Sequence, residues 1–306
     1  MGQRAQAKKF RRRRRDSRRH HYVPAAYLGL FGTPPGGRRA KIHVYDREQG
    51  TSRLDVPENV AYEIDLYRLD APDPPHMVED ALAPTEGSMI DAIRNVAGED
   101  GRTPTVQQAE AIVSFVALQH VRGPHVIEEL NRFAVDASRL KLEMIARRPL
   151  AYETRKKRLL AKDPSLKEED LPSREEILDS LRDDSLVMRM NNSFLVTTAL
   201  DGQKEVFNAL TKMELRFCWA PEGMQFVTGD RPVVLVPRSG QFMPLGIATA
   251  QAVVMPLAPK LLFMALPHQP YRVVESVAPV DLVVDANRRV SEQSRWTISA
   301  SPFRPS

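Results

Sequence analysis

Residues 252–255, Ala-Val-Val-Met, and residues 261–266, Leu-Leu-Phe-Met-Ala-Leu, are short apolar segments separated by a stretch that contains two prolines. Similar segments follow one another through the last third of the chain, at residues 215–219, 225–228, 232–236 and 296–298. Short runs of β-branched and aromatic residues bounded by glycine and proline are typical of strands joined by tight turns. The C-terminal region therefore predicts a largely antiparallel sheet.

The region upstream of these strands has the spacing of helices. Apolar residues recur every three to four positions, and Ser173 followed by Glu176 matches a capping box. Helices are predicted at residues 77–96, 105–121, 124–147 and 187–213 and strands at 42–45 and 61–67, and residues 281–293 predict a closing helix. Because helices and strands are segregated along the chain, we predict an α+β fold in which N-terminal and central helices pack on the C-terminal sheet.

Positive charge is concentrated at the N-terminus. Residues 1–19 hold ten Lys or Arg and one acidic residue, a net charge of +9, whereas the whole chain carries +5. This segment lacks the apolar surface that would offset the entropy of ordering it. We predict a disordered basic arm at residues 1–19 and a single α+β domain at residues 20–306.

The basic arm favours nucleic acid as a partner. Cationic side chains displace the counterions condensed on phosphates, which gives salt-dependent and sequence-independent binding. The alternatives are an anionic membrane surface, an acidic protein, or a solubilising tail without a dedicated partner. The candidate nucleic-acid-binding residues are Arg11, Arg12, Arg13, Arg14, Arg15, Arg18 and Arg19.

Several classes of protein find no support in the sequence. No apolar segment follows the N-terminal charges as in a secretory signal, and no apolar run reaches the roughly 20 residues of a membrane-spanning helix. We therefore expect no membrane span and a cytoplasmic location. The sequence also lacks a P-loop, a dinucleotide-binding glycine motif, a nucleophile elbow and a zinc-type array of Cys and His.

Five motifs resemble, in the same order, those of a bacterial family catalogued as domain of unknown function four-two-three-eight. The resemblance spans roughly residues 20 to 300, and the chain departs from the family pattern at Ala25, Gly123, Gly229 and Arg231, where Gln, Thr, Ser and Asn are common. The resemblance implies family membership and leaves the activity open. The motifs are His20-His21-Tyr22-Val23-Pro24 with Tyr27-Leu28, Val44-Tyr45-Asp46, the pair Glu79 and Glu86, Gln119 to Pro124, and Thr228-Gly229-Asp230-Arg231-Pro232.

Histidine is the side chain whose ordinary pKa lies near neutrality, so His21 and its neighbour His20 are candidates for a base or a metal ligand. The alternative is that both extend the basic arm. Glu79 and Glu86 are seven residues apart, which places both carboxylates on one face of a continuous helix. Oxygen ligands so placed suit Mg²⁺ or Mn²⁺. The alternative is a solvated acidic face, and Pro84 between them is expected to kink or restart the helix.

Gln119 and Arg122 flank a predicted helix break. The guanidinium of Arg122 suits phosphate binding, with Gln119 beside it, and the alternative is that Arg122 ties together carbonyl groups at the helix end. Asp230 follows a predicted strand, where a carboxylate is held rigidly and exposed by the turn. The alternative is that Asp230 makes only local hydrogen bonds within the turn.

These residues give two hypotheses of different kinds. One is a metal-dependent, nuclease-like phosphodiester hydrolase with His21 and Asp230 as catalytic groups. In it, Glu79, Glu86 and Asp230 bind Mg²⁺ or Mn²⁺. The other is a non-catalytic nucleic-acid-binding or adaptor module in which the same residues brace the fold. A third reading, a small-molecule hydrolase or transferase, stays open. Convergence on an open cleft would favour chemistry, and pairing with the backbone would favour bracing.

Overall fold

The computed structural model describes residues 18–303, except residues 38, 71–76, 99–101, 239, 241–245 and 268–270. The predicted disorder of the arm and its residues Arg11 to Arg15 therefore lie outside the described residues, whereas Arg18 and Arg19 lie inside them. The chain divides into two compact units. We call residues 1–124 together with 196–306 the main unit, and residues 125–195 the helical insert.

The helices and strands of the described residues confirm an α+β fold. In chain order the helices are α1 (Ala25–Leu28), α2 (Met77–Ala97), α3 (Val106–Val121), α4 (Pro124–Ala146), α5 (Pro149–Lys162), α6 (Arg174–Arg182), α7 (Asn192–Leu210) and α8 (Val280–Gln293). The strands are β1 (Arg19–His21), β2 (Ile42–Asp46), β3 (Thr51–Asp55), β4 (Tyr62–Ile64), β5 (Glu214–Trp219), β6 (Thr228–Gly229), β7 (Val234–Val236), β8 (Ala252–Ala258), β9 (Leu261–Leu266), β10 (Arg272–Val277) and β11 (Trp296–Ser299).

The strands form sheets that are mainly antiparallel, as predicted. The larger sheet has the order β10-β5-β9-β8-β7, and its one parallel pair within the described residues is β10 with β5. A second sheet has the order β3-β2-β11-β6, so it joins strands from the two ends of the chain. The short strands β1 and β4 pair antiparallel, with His21 opposite Tyr62. The buried strands β8 and β9 carry the apolar segments that predicted this region.

Helix boundaries follow local chemistry. The side chain of Ser173 accepts a hydrogen bond from the Glu176 N–H and the Glu176 carboxylate accepts one from the Ser173 N–H, which confirms the predicted capping box. The helix predicted from residue 187 begins only at Asn192, because the Asn191 side chain accepts from the Phe194 N–H and caps it. Helix α2 is not restarted at Pro84, which lies inside it.

Tyr27 connects the N-terminal segment to both larger sheets. Its buried hydroxyl donates to the carbonyl oxygen of Pro256 in β8 at 2.5 Å and lies 2.7 Å from the Thr228 hydroxyl in β6. Since the tyrosine proton goes to Pro256, Thr228 donates to Tyr27. The Tyr27 ring also packs on Phe115 of α3, with centroids 5.3 Å apart. These contacts fix residues 20–27 against the strand that leads to Asp230.

Among the described residues, no helix combines the length and the apolar content that crossing a bilayer requires.

Candidate functional site

Arg122 caps the C-terminus of α3 and is 1% exposed. Its Nη1 donates to the Glu86 carboxylate, its Nη2 donates to the backbone carbonyl of His21, and its Nε donates to the Tyr67 hydroxyl at 3.3 Å. Each guanidinium nitrogen therefore has a partner within the protein. We call the side chains of Arg122, Glu86, Glu79, Tyr67 and His20, together with the backbone of His21, the Arg122 cluster.

Tyr67 and His20 complete the buried side of the Arg122 cluster. The Tyr67 hydroxyl donates to the Arg122 carbonyl at 2.6 Å, and the Tyr67 N–H donates to His20 Nδ1 at 2.8 Å. The two rings are stacked with centroids 5.7 Å apart, and the Arg122 guanidinium lies 5.5 Å from the centroid of the Tyr67 ring. His20 is fully buried, so it is part of the folded core and does not extend the basic arm.

Glu79 and Glu86 lie on one face of α2, as their spacing predicts. Glu86 pairs with Arg122, and the pKa of the Glu79 carboxyl responds to both groups. Burial raises the pKa of Glu79, Arg122 lowers it and Glu86 raises it, which leaves it above its ordinary value. The His21 N–H also donates to this carboxyl. Burial lowers the pKa of the Arg122 guanidinium, but Tyr67, Glu86 and Glu79 raise it by more. The pKa of Arg122 is therefore above its ordinary value.

The His21 imidazole lies near Glu58 and Tyr62, while the His21 carbonyl accepts a hydrogen bond from Arg122. Its Nε2 is 3.3 Å from the carbonyl oxygen of Glu58, and its ring lies against Tyr62 with centroids 5.7 Å apart. The residue thus serves the Arg122 cluster through its backbone. The role of its ring as base or metal ligand stays a prediction.

Asp230 follows β6 and is 8% exposed. Its Oδ1 accepts from the Trp296 N–H at 3.1 Å, and its own N–H donates to the Trp296 carbonyl at 3.2 Å. Burial raises the pKa of the Asp230 carboxyl, and the backbone N–H of Trp296 only partly offsets this. Asp230 therefore ties the turn after β6 to β11, and the carboxylate is buried rather than presented to solvent.

The turn that carries Asp230 is held closely by α8. Asn287 accepts from the Val227 N–H and donates to the Gln225 carbonyl, both at 2.9 Å. A Cβ at Gly229 would lie 2.2 Å from Ser294 Oγ and 2.9 Å from the Trp296 carbonyl oxygen. Glycine, which stands where serine is common in the family pattern, therefore fits a space that Ser294 and the Trp296 carbonyl leave too small for a side chain.

Tyr22 is a buried residue whose pKa responds to both Asp230 and Tyr67, and sequence reasoning did not single it out. Its side chain is 7% exposed, and its pKa is raised by burial first, then by Asp230 and Glu63, with a smaller contribution from Tyr67. The Tyr22 hydroxyl is thus within electrostatic reach of both groups. Its place in the sequence, between a histidine pair and a helix-starting proline, is the signal that could have identified it.

Gln119 is 4% exposed, and neither oxygen nor nitrogen of its amide has a hydrogen-bond partner in the part of the chain that the structure describes. Helical spacing places it on the face of α3 that carries Phe115 and Arg122. Phe115 packs on Tyr27 and Arg122 binds the His21 carbonyl. Gln119 therefore lies between two contacts with residues 20–27, and its substrate-binding role stays a prediction.

The predicted metal ligands have other partners. Glu86 is paired with Arg122, and Asp230 accepts from the backbone of Trp296. Among the described residues, no group of three or more His, Cys, Asp or Glu side chains is arranged to hold a metal ion. The site brings Glu79, Glu86 and Arg122 together, whereas Asp230 is held by the backbone of Trp296. Arg122, Glu86 and Asp230 therefore bind one another or the backbone, which is an arrangement suited to bracing.

We predict that Arg122→Lys lowers the free energy of unfolding by about 1–3 kcal/mol, because an ammonium cannot serve Glu86, Tyr67 and the His21 carbonyl at once. Urea denaturation measures this. The matched control is Arg94→Lys, on an exposed arginine paired with Asp91, for which we expect a change within about 0.5 kcal/mol. Unchanged stability of Arg122→Lys together with weaker binding of phosphate would contradict the bracing role.

A second prediction concerns pH. Because the pKa of Asp230 is raised in the folded state, its contribution to stability is complete below the unfolded value of about 3.9 and is lost as the pH rises through the folded value. Asp230→Asn keeps an oxygen that accepts from Trp296 and removes the buried charge. The variant should match the wild type in acid and become the more stable protein as the pH rises to neutrality.

Thermal denaturation across this pH range compares the two proteins. Asp230→Ala is the control, since it also lacks the charge but leaves the Trp296 N–H without its acceptor, so it should be less stable than Asp230→Asn by about 1–3 kcal/mol at every pH. The account of Asp230 is wrong if the wild type gains stability over Asp230→Asn as the pH rises.

The comparisons with known proteins give one match. A model of the family described as protein of unknown function (DUF4238) matches residues 19–302, which include the Arg122 cluster and the Asp230 turn. No curated protein and no solved structure matches the chain. Since the match covers nearly the whole chain, it confirms the resemblance inferred from the motifs. The chain belongs to the family of proteins of unknown function DUF4238.

Proposed function

We propose that the protein is a nucleic-acid-binding module whose affinity comes from its N-terminal basic segment, and that the Arg122 cluster braces the fold that carries this segment. The observation that carries the proposal is the charge of residues 1–19, which hold ten cationic side chains and one acidic one. The phosphate backbone of a nucleic acid is the partner that such a density of positive charge fits best.

The end of the basic segment is anchored to the main unit. The Arg18 guanidinium forms a two-pronged ion pair with Asp65, with Nε 2.9 Å from Oδ2 and 3.1 Å from Oδ1. The Arg19 guanidinium lies over the Tyr62 ring, 4.6 Å from its centroid. Arg18 and Arg19 thus act as attachment points. The phosphate contacts are assigned to the cations that precede them, Arg4, Lys8, Lys9, Arg11, Arg12, Arg13, Arg14 and Arg15.

The state of Arg122 supports a binding module over a hydrolase. A guanidinium that is to hold a substrate phosphate must have donors available to it. All three nitrogens of Arg122 already donate to Glu86, Tyr67 and the His21 carbonyl. Freeing them would leave the buried Arg122 guanidinium and the partly buried Glu86 carboxylate without each other, which is destabilising.

Replacing Arg11 to Arg15 with glutamine should weaken binding to single-stranded and duplex nucleic acid. Each phosphate contact contributes about 0.7–0.9 to the magnitude of the slope of log K against log salt, so the loss of five cations should lower that magnitude by about 3.5 to 4.5. Fluorescence anisotropy of a labelled oligonucleotide across about 50 to 200 mM salt measures the change.

The matched control keeps the composition of residues 2–17 and scrambles their order, which should leave affinity and slope unchanged because the binding is electrostatic. Equal affinity of the glutamine variant and the wild type at low salt would rule out the basic segment as the source of binding.

A phosphodiester hydrolase is the second candidate, and the raised pKa of Glu79 is the observation that favours it. A partly buried carboxyl whose pKa is raised is suited to donate a proton to a leaving group. This candidate predicts that the wild type cleaves DNA or RNA with added Mg²⁺ or Mn²⁺. Glu79→Gln would then lose cleavage by about 10²-fold or more while remaining folded. Equal rates for the two proteins, or no cleavage by either, would remove it.

A further inference from the structure

We infer that the helical insert carries a second phosphate-binding surface, formed by one face of α5. This inference rests on the proposed function in taking nucleic acid as the partner, but it uses residues far from the basic segment in the chain. We call Arg148, Arg155, Arg158 and Lys162 the α5 ridge.

Charge is strongly segregated within the insert. Residues 125–195 contain fourteen Lys or Arg and fourteen Asp or Glu, so the insert as a whole is neutral. Between Arg147 and Lys162, however, there are seven cationic side chains and one acidic side chain, Glu153. The rest of the insert has seven cationic and thirteen acidic side chains. The insert has no net charge, but the concentration of cations around α5 produces a positive electrostatic potential at this helix.

The α5 ridge is regular and exposed. Arg155, Arg158 and Lys162 follow one another at i, i+3 and i+7, which places them on one face of the helix and spreads them over about 10 Å along its axis. Arg148, the N-cap residue of α5, is seven residues before Arg155 and extends the row at its N-terminal end. All four side chains are exposed. A row of this kind can contact successive phosphates of one strand.

The ion pairs of the insert within the described residues involve cations other than those of the α5 ridge. Neighbouring cations are paired, since Arg147 binds Glu143 at 2.7 Å and Lys156 binds Glu168 at 2.6 Å. Within the described part of the chain, no ion pair involves Arg148, Arg155, Arg158 or Lys162. Cations without an internal partner keep their full attraction for an external anion.

A nucleic acid fits this surface better than a lipid bilayer. An interfacial helix needs an exposed apolar face beside its cations. In α5 the paired leucines Leu159 and Leu160 are partly buried, and Leu150, at the start of the helix, is the strongly exposed leucine among its residues. The α5 ridge therefore offers charge without the apolar area that would enter a membrane.

The test is the triple variant Arg155→Gln, Arg158→Gln, Lys162→Gln in the full-length chain. Glutamine has a helix propensity close to that of arginine and lysine, so α5 should remain folded, which circular dichroism checks. We expect the slope of log K against log salt for a labelled oligonucleotide to fall by about 2 to 3, with affinity reduced at every salt concentration.

The matched control replaces three paired cations of the same insert, Lys167, Arg174 and Arg182, with glutamine, which changes the net charge equally. The control should retain the wild-type slope. If the ridge variant and the control behave alike, the second surface does not exist, whatever the basic segment does. If the ridge variant loses binding and the Arg11 to Arg15 variant keeps it, the result supports the second surface and overturns the proposed function.

Vesicles that contain an anionic phospholipid give the remaining outcome. The wild type should bind them no better than the ridge variant does. If the ridge variant loses vesicle binding and keeps its affinity for nucleic acid, the surface belongs to a membrane and the inference is overturned.

Discussion

Arg122 has lost almost all of its hydration, and the fold depends on how the protein replaces it. A buried guanidinium is tolerated only if its donors are met by acceptors and its charge by a carboxylate. Here the acceptors come from different parts of the chain, namely the His21 carbonyl of β1, the Tyr67 hydroxyl and Glu86 of α2. One side chain at the end of α3 therefore determines where β1 and α2 lie.

This constraint explains why several of the motif residues lie together and partner one another. Histidine, carboxylates, arginine and aspartate are the residues that phosphoryl chemistry uses, and they are also those that satisfy one another when buried. Glu86, Arg122 and Asp230 all have partners in the structure, and two of the three bind backbone groups. The residue types indicate where the site lies, and the hydrogen bonds show which groups these residues bind.

The sequence predicts elements whose signal is local. The buried strands β8 and β9, helices α3 and α4 and the capping box of α6 all follow from periodicity or end chemistry within a few residues. Strands β1, β3 and β10 are not predicted from the sequence, because they become strands only by pairing with a partner strand. Their sequences are Arg-His-His, Thr-Ser-Arg-Leu-Asp and Arg-Val-Val-Glu-Ser-Val. β10, for example, pairs with β5, which lies more than 50 residues earlier.

The same limit applies to the site. The spacing of Glu79 and Glu86 correctly places both on one helix face, and the helix break correctly marks Arg122. The sequence cannot reveal that Tyr67 completes the arrangement, because its partner Arg122 is 55 residues away in the chain. Nor can it show that Gly229 is required by Ser294, which approaches from the end of α8. Burial and pairing are properties of the folded chain.

Charge outside the Arg122 cluster is distributed differently: the sequence concentrates cations in residues 1–19, and within the described part of the chain the α5 ridge forms no ion pair. The central claim is that Arg122 and Glu86 act on each other and not on a ligand. The most direct measurement is a double-mutant cycle on urea unfolding with Arg122→Met, Glu86→Leu and the double variant. We predict a coupling free energy of about 1–3 kcal/mol. The double variant should therefore lose less stability than the sum of the losses of the two single variants. Additivity within about 0.5 kcal/mol would contradict the account.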